Sequence, residues 1–339
     1  MIRELMMNAI EAAQHAPLDR RLIEISAQQV DGIPKLAIWN TGPGMDGVEL
    51  QRVCNIASSL RKQKSLTSNF GMGAKVASLP SNQRGMRYRS CKNGVVHEVI
   101  LCKRDGVYGL LRRYNETTNE YQEVADVTDL AKSDGRSCDE DWTEVVLHGN
   151  TAEQDTVKDP YNGDPEQDTQ WLATYLYHRF YRLPDGVKVT LLKGTHKLDG
   201  NRPFHTIPSR LHFFERHEPV ACANGIKVHY LYDAPYAGTG HNKSISGAIA
   251  SAVSTCAVIY KTECMMFGEV KTGPSTHPSS ASLSVLSTSL CTSNCRTTIR
   301  SFLMGIVSSC ATLKVSSLTW RQPILPRSSE SIARLGLLN

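Results

Sequence analysis

The spacing of apolar positions in the first 150 residues predicts one long helix followed by short strands. Apolar residues recur at helical spacing over 2–15, whereas later segments alternate or form short apolar runs between turn residues such as Asp31-Gly32. Strands are predicted at 21–30, 34–39, 86–91, 95–102, 107–113 and 142–149, and further helices at 46–59 and 69–79. The pattern predicts an α+β fold, a two-layer α/β sandwich whose mixed, mainly antiparallel sheet carries its helices on one face.

The pattern changes near residues 150 and 270. A polar stretch at 115–140 is expected to form loops, and a helix at 170–183 followed by a strand at 187–192 belongs to a second, smaller α+β unit. From 271 onward the chain has 24 Ser or Thr, no Asp and no sustained period. We therefore predict three regions: 1–150, 151–270, and a tail at 271–339 that is either disordered or translated out of frame.

Composition narrows the class of protein. Of the 339 residues, 40% are hydrophobic and 21% charged, without a long apolar run, which predicts a cytoplasmic protein with no membrane span. The ten cysteines include no pair at CxxC spacing, so a zinc site is not expected. The net charge of +5 comes from the tail, because residues 1–270 hold 31 basic and 32 acidic side chains. A basic nucleic-acid surface is therefore not indicated.

The first helix carries an unusual polar stripe. Glu4, Asn8, Glu11 and His15 are spaced by four, three and four residues, so their side chains share one helix face. Taken alone, this stripe is also typical of the exposed face of an ordinary amphipathic helix.

Two glycine-containing segments follow. In "WNTGPGMDG", Gly42 and Gly44 form a tight turn after the strand that ends near Asn40, although a plain connecting loop has the same composition. In "SNFGMGAKVAS", Gly71 and Gly73 lie at the start of a predicted helix, where they leave backbone N–H groups accessible to an anion. Lys75 adds a positive charge. The glycines of this segment have neither the spacing of the Walker phosphate-binding loop nor that of the dinucleotide-binding motif.

In this order the segments resemble the GHKL superfamily of ATPases, which includes gyrase, the ninety-kilodalton heat-shock chaperones, sensor histidine kinases, MutL and the related MORC proteins. The resemblance lies in "ELMMNA", "NTGPGM", "GMGAK" and "WTEVVLHG", with 58–70 in the position of the mobile lid. It implies a Bergerat-type ATP-binding domain at 1–150, N-terminally truncated, and a transducer-like domain at 151–270.

The resemblance also implies individual roles. Glu4 matches the general base that activates water, and Asn8 matches the ligand of Mg²⁺. Asn40 stands where the family has an adenine-binding aspartate, and Thr143 matches the threonine that helps to hold the adenine. The implied nucleotide-binding residues are Asn8, Glu11, Asn40, Gly42, Gly44, Met45, Asn69, Phe70, Gly71, Met72, Gly73, Ala74, Lys75 and Thr143.

The expected function is Mg²⁺-dependent binding and hydrolysis of ATP, which drives lid closure and a dimeric clamp cycle. ATP and Mg²⁺ are the expected cofactors, and a second copy of the chain is the expected partner. The alternative is an interaction module that senses the nucleotide without appreciable hydrolysis, because Asn40 lacks the charge of an aspartate. A client protein or DNA is not specified by the sequence.

Overall fold

The computed structural model describes residues 1–54, 72–116, 118–161, 171–206, 208–209, 216–221, 227–233, 254–260, 262–271, 281–288 and 319–320. The chain divides into two units, each with its own sheet. Described residues of the first unit lie within Met1–Leu172 and Pro184–Phe204, and those of the second within Ala173–Leu183 and His205–Ser328. The boundaries near 150 and 270 that the sequence texture suggests stay predictions.

The first unit is α+β, with nine strands in one mixed sheet and few helices. The bounds are α1 (Ile2–Gln14), β1 (Leu22–Val30), β2 (Ile33–Thr41), α2 (Gly47–Cys54), α3 (Met72–Ser78), β3 (Met86–Lys92), β4 (Val95–Arg104), β5 (Val107–Leu110), β6 (Arg113–Asn115), β7 (Glu120–Gln122), β8 (Ala125–Asp126), α4 (Thr128–Ser133), β9 (Trp142–Leu147), β10 (Lys188–Leu191) and β11 (Arg202–Pro203). The sheet order is β11-β10-β1-β2-β9-β3-β4-β5, and β8 also pairs with β4. All neighbouring strands run antiparallel except β1 and β10, which are parallel.

Most predicted elements of this unit are confirmed, with one correction. The segment expected to be loops at 115–140 contains β7, β8 and α4, and β6 pairs with β7 in a separate small sheet. These elements are two to six residues long, too short for a periodic pattern to be recognised in the sequence. Of the predicted helix at 46–59, residues 55–59 lie outside the described residues.

Three two-residue turns fix the register of the first two hairpins and of the β4–β5 pair. Asp31-Gly32, Asn93-Gly94 and Asp105-Gly106 all have positive φ at both positions, for example +52° and +78° in the first turn. This is the type I′ geometry, which matches the right-handed twist of the flanking strands and favours Asp-Gly and Asn-Gly sequences.

One face of the sheet carries a row of charged and aromatic side chains across five strands. Cross-strand pairing aligns Glu24, Trp39, Glu144, Arg89 and Glu98 in that order. Residues directly opposite one another project to the same face. The row is the core of an ionic network, because the segment that follows β5 adds Arg113, Asp134 and Arg136 to it.

The network pairs carboxylates that the fold removes from water with guanidinium groups, although Glu144 Oε2 has no hydrogen-bond partner among the described residues. Arg89 Nε donates to Glu98 Oε2 at 2.6 Å, and Arg136 Nη2 donates to Glu144 Oε1 at 2.7 Å. Glu144 is completely buried. The Arg136 guanidinium also lies 5.3 Å from the ring centroid of Trp39 and donates to Glu24 at 3.0 Å. Each buried acid therefore has a hydrogen-bonded cation, which offsets the cost of desolvation.

A buried lysine holds the segment after β9 against β2. Lys35 is only 2% exposed, and its Nζ donates to three backbone carbonyls, those of His148 at 3.1 Å, Ala152 at 2.9 Å and Gln154 at 2.6 Å. Burial lowers the pKa of Lys35 from its usual value. The ammonium group thus donates its three protons to three backbone carbonyl oxygens that strand pairing does not use.

The second unit contains a six-stranded sheet in the order β12-β13-β16-β14-β15-β17. All but the first two residues of α5 (Trp171–Arg179) belong to this unit, and Arg179 in its last turn forms a 2.7 Å ion pair with Glu263 of the same unit. Two of its strands lie within 271–339, for which disorder or an altered frame stays a prediction; the rest of that range, 272–280, 289–318 and 321–339, is outside the described residues. The bounds are β12 (Arg216–Ala221), β13 (Lys227–Asp233), β14 (Ser254–Tyr260), β15 (Glu263–Lys271), β16 (Ala281–Thr288) and β17 (Thr319–Trp320).

Among the described residues, every helix is too short or too polar to cross a lipid bilayer.

We predict that Lys35→Met lowers the free energy of unfolding by about 3 kcal/mol, because it leaves three carbonyls without their charged donor. Lys158→Met, in the segment that Lys35 holds, is the matched control. The Lys158 side chain is 59% exposed and forms a 3.4 Å surface ion pair with Asp155, so a change below about 0.5 kcal/mol in the free energy of unfolding is expected. Urea unfolding of both variants measures the difference. Similar small losses in the two would contradict the anchoring role of Lys35.

Candidate functional site

The polar stripe of α1 is accessible along most of its length. Glu4, Asn8 and Glu11 are half-buried, whereas the apolar side of the helix is buried: Ile2, Leu5, Met6, Ala9, Ile10 and Ala13. His15 is exposed at the C-terminal end of the helix, as expected for a residue without a role in the site. The stripe therefore borders a polar surface over about 10 Å of helix, at 1.5 Å per residue from Glu4 to Glu11.

The N-terminal end of the stripe meets the glycine segment. A Cβ placed on Gly73 would lie 2.7 Å from Glu4 Oε2, so the first turn of α3 lies close to the Glu4 carboxylate. The Arg3 guanidinium donates to the same carboxylate. Ala74, the next residue of α3, is buried. The structure thus brings the predicted base beside the predicted phosphate segment.

Asn69, Phe70 and Gly71 lie outside the described residues, together with the predicted lid at 58–70. For Met72 only the backbone is described, as the first residue of α3.

Lys75 has a different environment from the one expected of a phosphate-binding lysine. It is 2% exposed, and its ammonium donates to the backbone carbonyl of Val53 in α2. This hydrogen bond joins α3 to α2.

The C-terminal end of the stripe meets the glycine turn. A Cβ on Gly42 would lie 2.9 Å from the backbone oxygen of Ala12. Gly44 has φ of +56°, and a Cβ there would lie 2.0 Å from the carbonyl oxygen of Cys91. The two glycines therefore let the turn pack against α1 on one side and β3 on the other.

Asn40, Thr143 and a serine that sequence reasoning missed form a second row across the sheet. Asn40 pairs with Thr143, and Thr143 pairs with Ser90 on β3, so the three side chains share a face opposite to the ionic row. Ser90 Oγ lies 2.8 Å from Thr143 Oγ1 and accepts the backbone N–H of Met45 at 2.8 Å. Ser90 and Thr143 are 53 residues apart, and no sequence motif signals their pairing.

The site residues thus fall into two groups linked by α1 and the glycine turn. Glu4 and Gly73 lie together at one end of the helix. At the other end, the turn joins α1 through Gly42 and joins the Asn40–Thr143–Ser90 row through Met45. Among the described residues, no group of three or more His, Cys, Asp or Glu side chains is arranged to hold a metal ion.

Burial raises the pKa of Glu11 from its ordinary value of 4.5 to about 7. The carboxyl group therefore carries a proton in a large fraction of molecules at neutral pH, and a nearby cation would favour its ionised form.

Comparison with known proteins gives no match: no protein-family model matches this chain, and no curated protein matches it. The assignment of the site therefore depends on its residues and geometry.

We predict that Glu11 contributes a loss of stability as pH rises from about 4.5 to about 7, because it binds its proton more tightly in the folded chain than in the unfolded chain. Glu11→Gln removes this contribution, so the variant should gain thermal stability relative to the parent as pH rises from 5 to 8. Glu120→Gln, at an exposed position, is the control. Parallel curves of midpoint against pH for Glu11→Gln and the parent would contradict the prediction.

We predict that Gly44→Ala costs at least about 2 kcal/mol more than Gly106→Ala. Both glycines have positive φ, so each change introduces the same kind of backbone strain, about 1–2 kcal/mol. Only Gly44 has a backbone atom at 2.0 Å, since nothing lies within 4 Å of the position of a Cβ on Gly106. The difference between the free energies of unfolding of the two variants, measured in urea, gives the cost of the close contact at Gly44. Equal losses would show that the turn at Gly44 can shift to accommodate a Cβ.

Proposed function

We propose that this chain is a GHKL-type ATPase, which binds ATP and Mg²⁺ along the polar stripe of α1 and hydrolyses the nucleotide. The observation that carries the proposal is the position of α1 between two glycine segments. Glu4 borders Gly73 at one end of the helix, and Ala12 borders Gly42 at the other. The two-layer sandwich of the Bergerat type is the arrangement that this proposal requires of the sheet and helices.

The residues present suit the proposed ligands. A Cβ at Gly42 or Gly44 would collide with the backbone of Ala12 or Cys91, and one at Gly73 would lie 2.7 Å from Glu4 Oε2, so these glycines let their segments pack closely against α1 and β3. Bound ATP would supply the phosphoryl group, and bound Mg²⁺ would supply the positive charge that neutralises the phosphate oxygens. Asn8 supplies an amide oxygen for the metal ion, one helical turn from Glu4.

Glu4 orients a water molecule and accepts its proton, since it is the carboxylate next to the phosphate segment. Backbone N–H groups of Gly73 and Ala74 at the start of α3 bind phosphate oxygens. Asn40 and Thr143 hold the base, at the end of the site where the turn meets the sheet. Met45, fixed by its hydrogen bond to Ser90, closes that end.

A nucleotide-sensing module without appreciable hydrolysis is the second candidate. It is favoured by two contacts of the groups expected to act on phosphate: Lys75 donates to the Val53 carbonyl, and Arg3 donates to Glu4. A lysine held by a backbone carbonyl adds little charge stabilisation at the phosphate, and the Arg3 guanidinium occupies one oxygen of the Glu4 carboxylate.

The dimeric clamp cycle extends the first proposal. Its lid, residues 58–70, lies outside the described residues, and the second subunit and client protein or DNA are inferred from the resemblance alone. Sedimentation of the full chain with and without Mg²⁺ and a non-hydrolysable ATP analogue tests the dimer, for which an increase in mass is expected.

We predict that Mg²⁺ with ATP at about 100 times its Kd stabilises the full chain by about 2.7 kcal/mol. Asn8→Ala should remove the Mg²⁺-dependent part of the shift, whereas Glu4→Gln should retain binding and lose turnover, because it preserves shape but not basicity. Gln14→Ala, exposed on the same helix, is the control. Thermal unfolding and phosphate release are measured on each protein.

The outcomes separate the two candidates. Binding with turnover that Glu4→Gln abolishes supports the ATPase. Binding with no turnover in the parent protein supports the sensing module. No thermal shift at millimolar Mg·ATP would overturn both.

A further inference from the structure

Two cysteines lie side by side where the end of β3 meets the segment that leads into β9. Cys91 on β3 is completely buried, and Cys138 is partly exposed. The Cys91 thiol donates to the carbonyl oxygen of Cys138 at 3.8 Å, across 47 positions of the chain. Both residues belong to one apolar cluster, which also contains Val96, Ala131 and Trp142. The fold therefore brings together two thiols that are far apart in the sequence.

The backbone on both sides of this cysteine pair is held in place. Next to Cys138, the indole N–H of Trp142 donates to the carbonyl oxygen of Ser137 at 2.8 Å, and the backbone N–H of Asp139 donates to Ser137 Oγ at 3.1 Å. Cys91 is fixed by its strand pairing with Trp142. Two reacting groups that are already held in proximity react faster with each other than with a group in solution.

The two thiols differ in their access to solvent and in their acidity. Burial raises the pKa of the Cys91 thiol to about 11, and the charge and hydrogen bonding of the Cys138 side chain add to the rise. Cys91 therefore keeps its proton at neutral pH, and a protonated thiol is a poor nucleophile. Cys138 is partly exposed, so a small solute can reach its sulfur. Cys138 is thus suited to react first, and Cys91 to react with the product.

We infer that Cys91 and Cys138 form a site of reversible oxidation, at which a small-molecule disulfide converts the two thiols into an intramolecular disulfide bond. The Cys138 thiolate attacks one sulfur of the small disulfide, which forms a mixed disulfide and releases one small thiolate. The Cys91 sulfur then attacks the Cys138 sulfur, and the second small thiolate leaves. The two leaving thiolates take up the protons that Cys138 and Cys91 lose. Two protein thiols are oxidised, and one small disulfide is reduced to two thiols.

The disulfide bond joins the two segments that contact the glycine turn. The backbone N–H of Gly42 donates to the carbonyl oxygen of Asp141 at 3.4 Å. A Cβ on Gly44 would lie 2.0 Å from the carbonyl oxygen of Cys91 and 3.2 Å from the Cβ of Asp141. Oxidation therefore ties β3 to segment 137–141 at the place where both hold the turn. The inference needs only the two thiols and does not depend on the proposed nucleotide site.

The test treats the unmodified, folded full chain with an excess of oxidised glutathione, alkylates the remaining thiols and maps the peptides by mass without reduction. A peptide in which Cys91 is joined to Cys138 is expected, and dithiothreitol should separate it into its two halves. Alkylation of both cysteines as free thiols would overturn the inference, because it would show that the pair only fills the apolar cluster. A stable glutathione adduct on Cys138 beside a free Cys91 would also overturn it.

Single variants separate the roles of the two thiols. Cys91→Ser should stop at a glutathione adduct on Cys138, whereas Cys138→Ser should leave Cys91 as a free thiol. Cys102→Ser, at another buried thiol, is the control and should form the joined peptide at the parental rate. An adduct on Cys91 of Cys138→Ser, formed as fast as the parental bond, would contradict the assignment of Cys138 as the attacking thiol. Peptide mapping of the unmodified chain decides the inference even where a variant does not fold.

Discussion

The position of β9 between β2 and β3 is the constraint on which the first unit depends. Side chains alternate along a strand, so this one register fixes both faces of the sheet at once. Thr143 joins Asn40 and Ser90 on one face, while Glu144 joins Trp39 and Arg89 on the other. A slip of β9 by one residue would put a carboxylate beside Asn40 and Ser90, and a threonine among the guanidinium groups of the other face. Both networks would then lose their partners together.

The two faces use polar groups for different purposes. On the ionic face, buried carboxylates are held by Arg89, Arg113 and Arg136, which fastens the segment after β5 to the sheet. On the other face, neutral hydroxyl and amide groups hydrogen-bond to one another and to the backbone without the cost of burying a charge. Asn40 fits this second environment, since it keeps an acceptor oxygen where an aspartate would need a compensating proton or cation.

Local signals account for the parts of the fold that the sequence predicts. The apolar spacing of α1 and the Asp-Gly and Asn-Gly turns act within a few residues, and these elements form where they are expected. The sequence does not show which strands meet, so the pairing of Thr143 with Ser90 and of β10 with β1 is apparent only in three dimensions. Lys75 illustrates the same limit. The glycine-lysine pattern predicts that Lys75 binds phosphate, whereas its ammonium group donates to a backbone carbonyl of a different helix. The convergence of Glu4 with Gly73 agrees with the motif order, but Ser90 has no motif to indicate it.

The three tight turns and the central insertion of β9 set an order for folding. Each turn joins strands that are adjacent in the chain, so β1–β2 and β3–β4–β5 can form as hairpins on a timescale of about 1–10 μs. β9 must then enter between two preformed pieces, pairing with β2 across about a hundred residues of chain, and such long-range closure slows folding. We therefore expect the early hairpins of the nascent chain to keep unpaired inner edges until β9 has been synthesised. On this view β9, which carries Thr143, also protects the nascent chain from pairing with neighbouring chains through those edges.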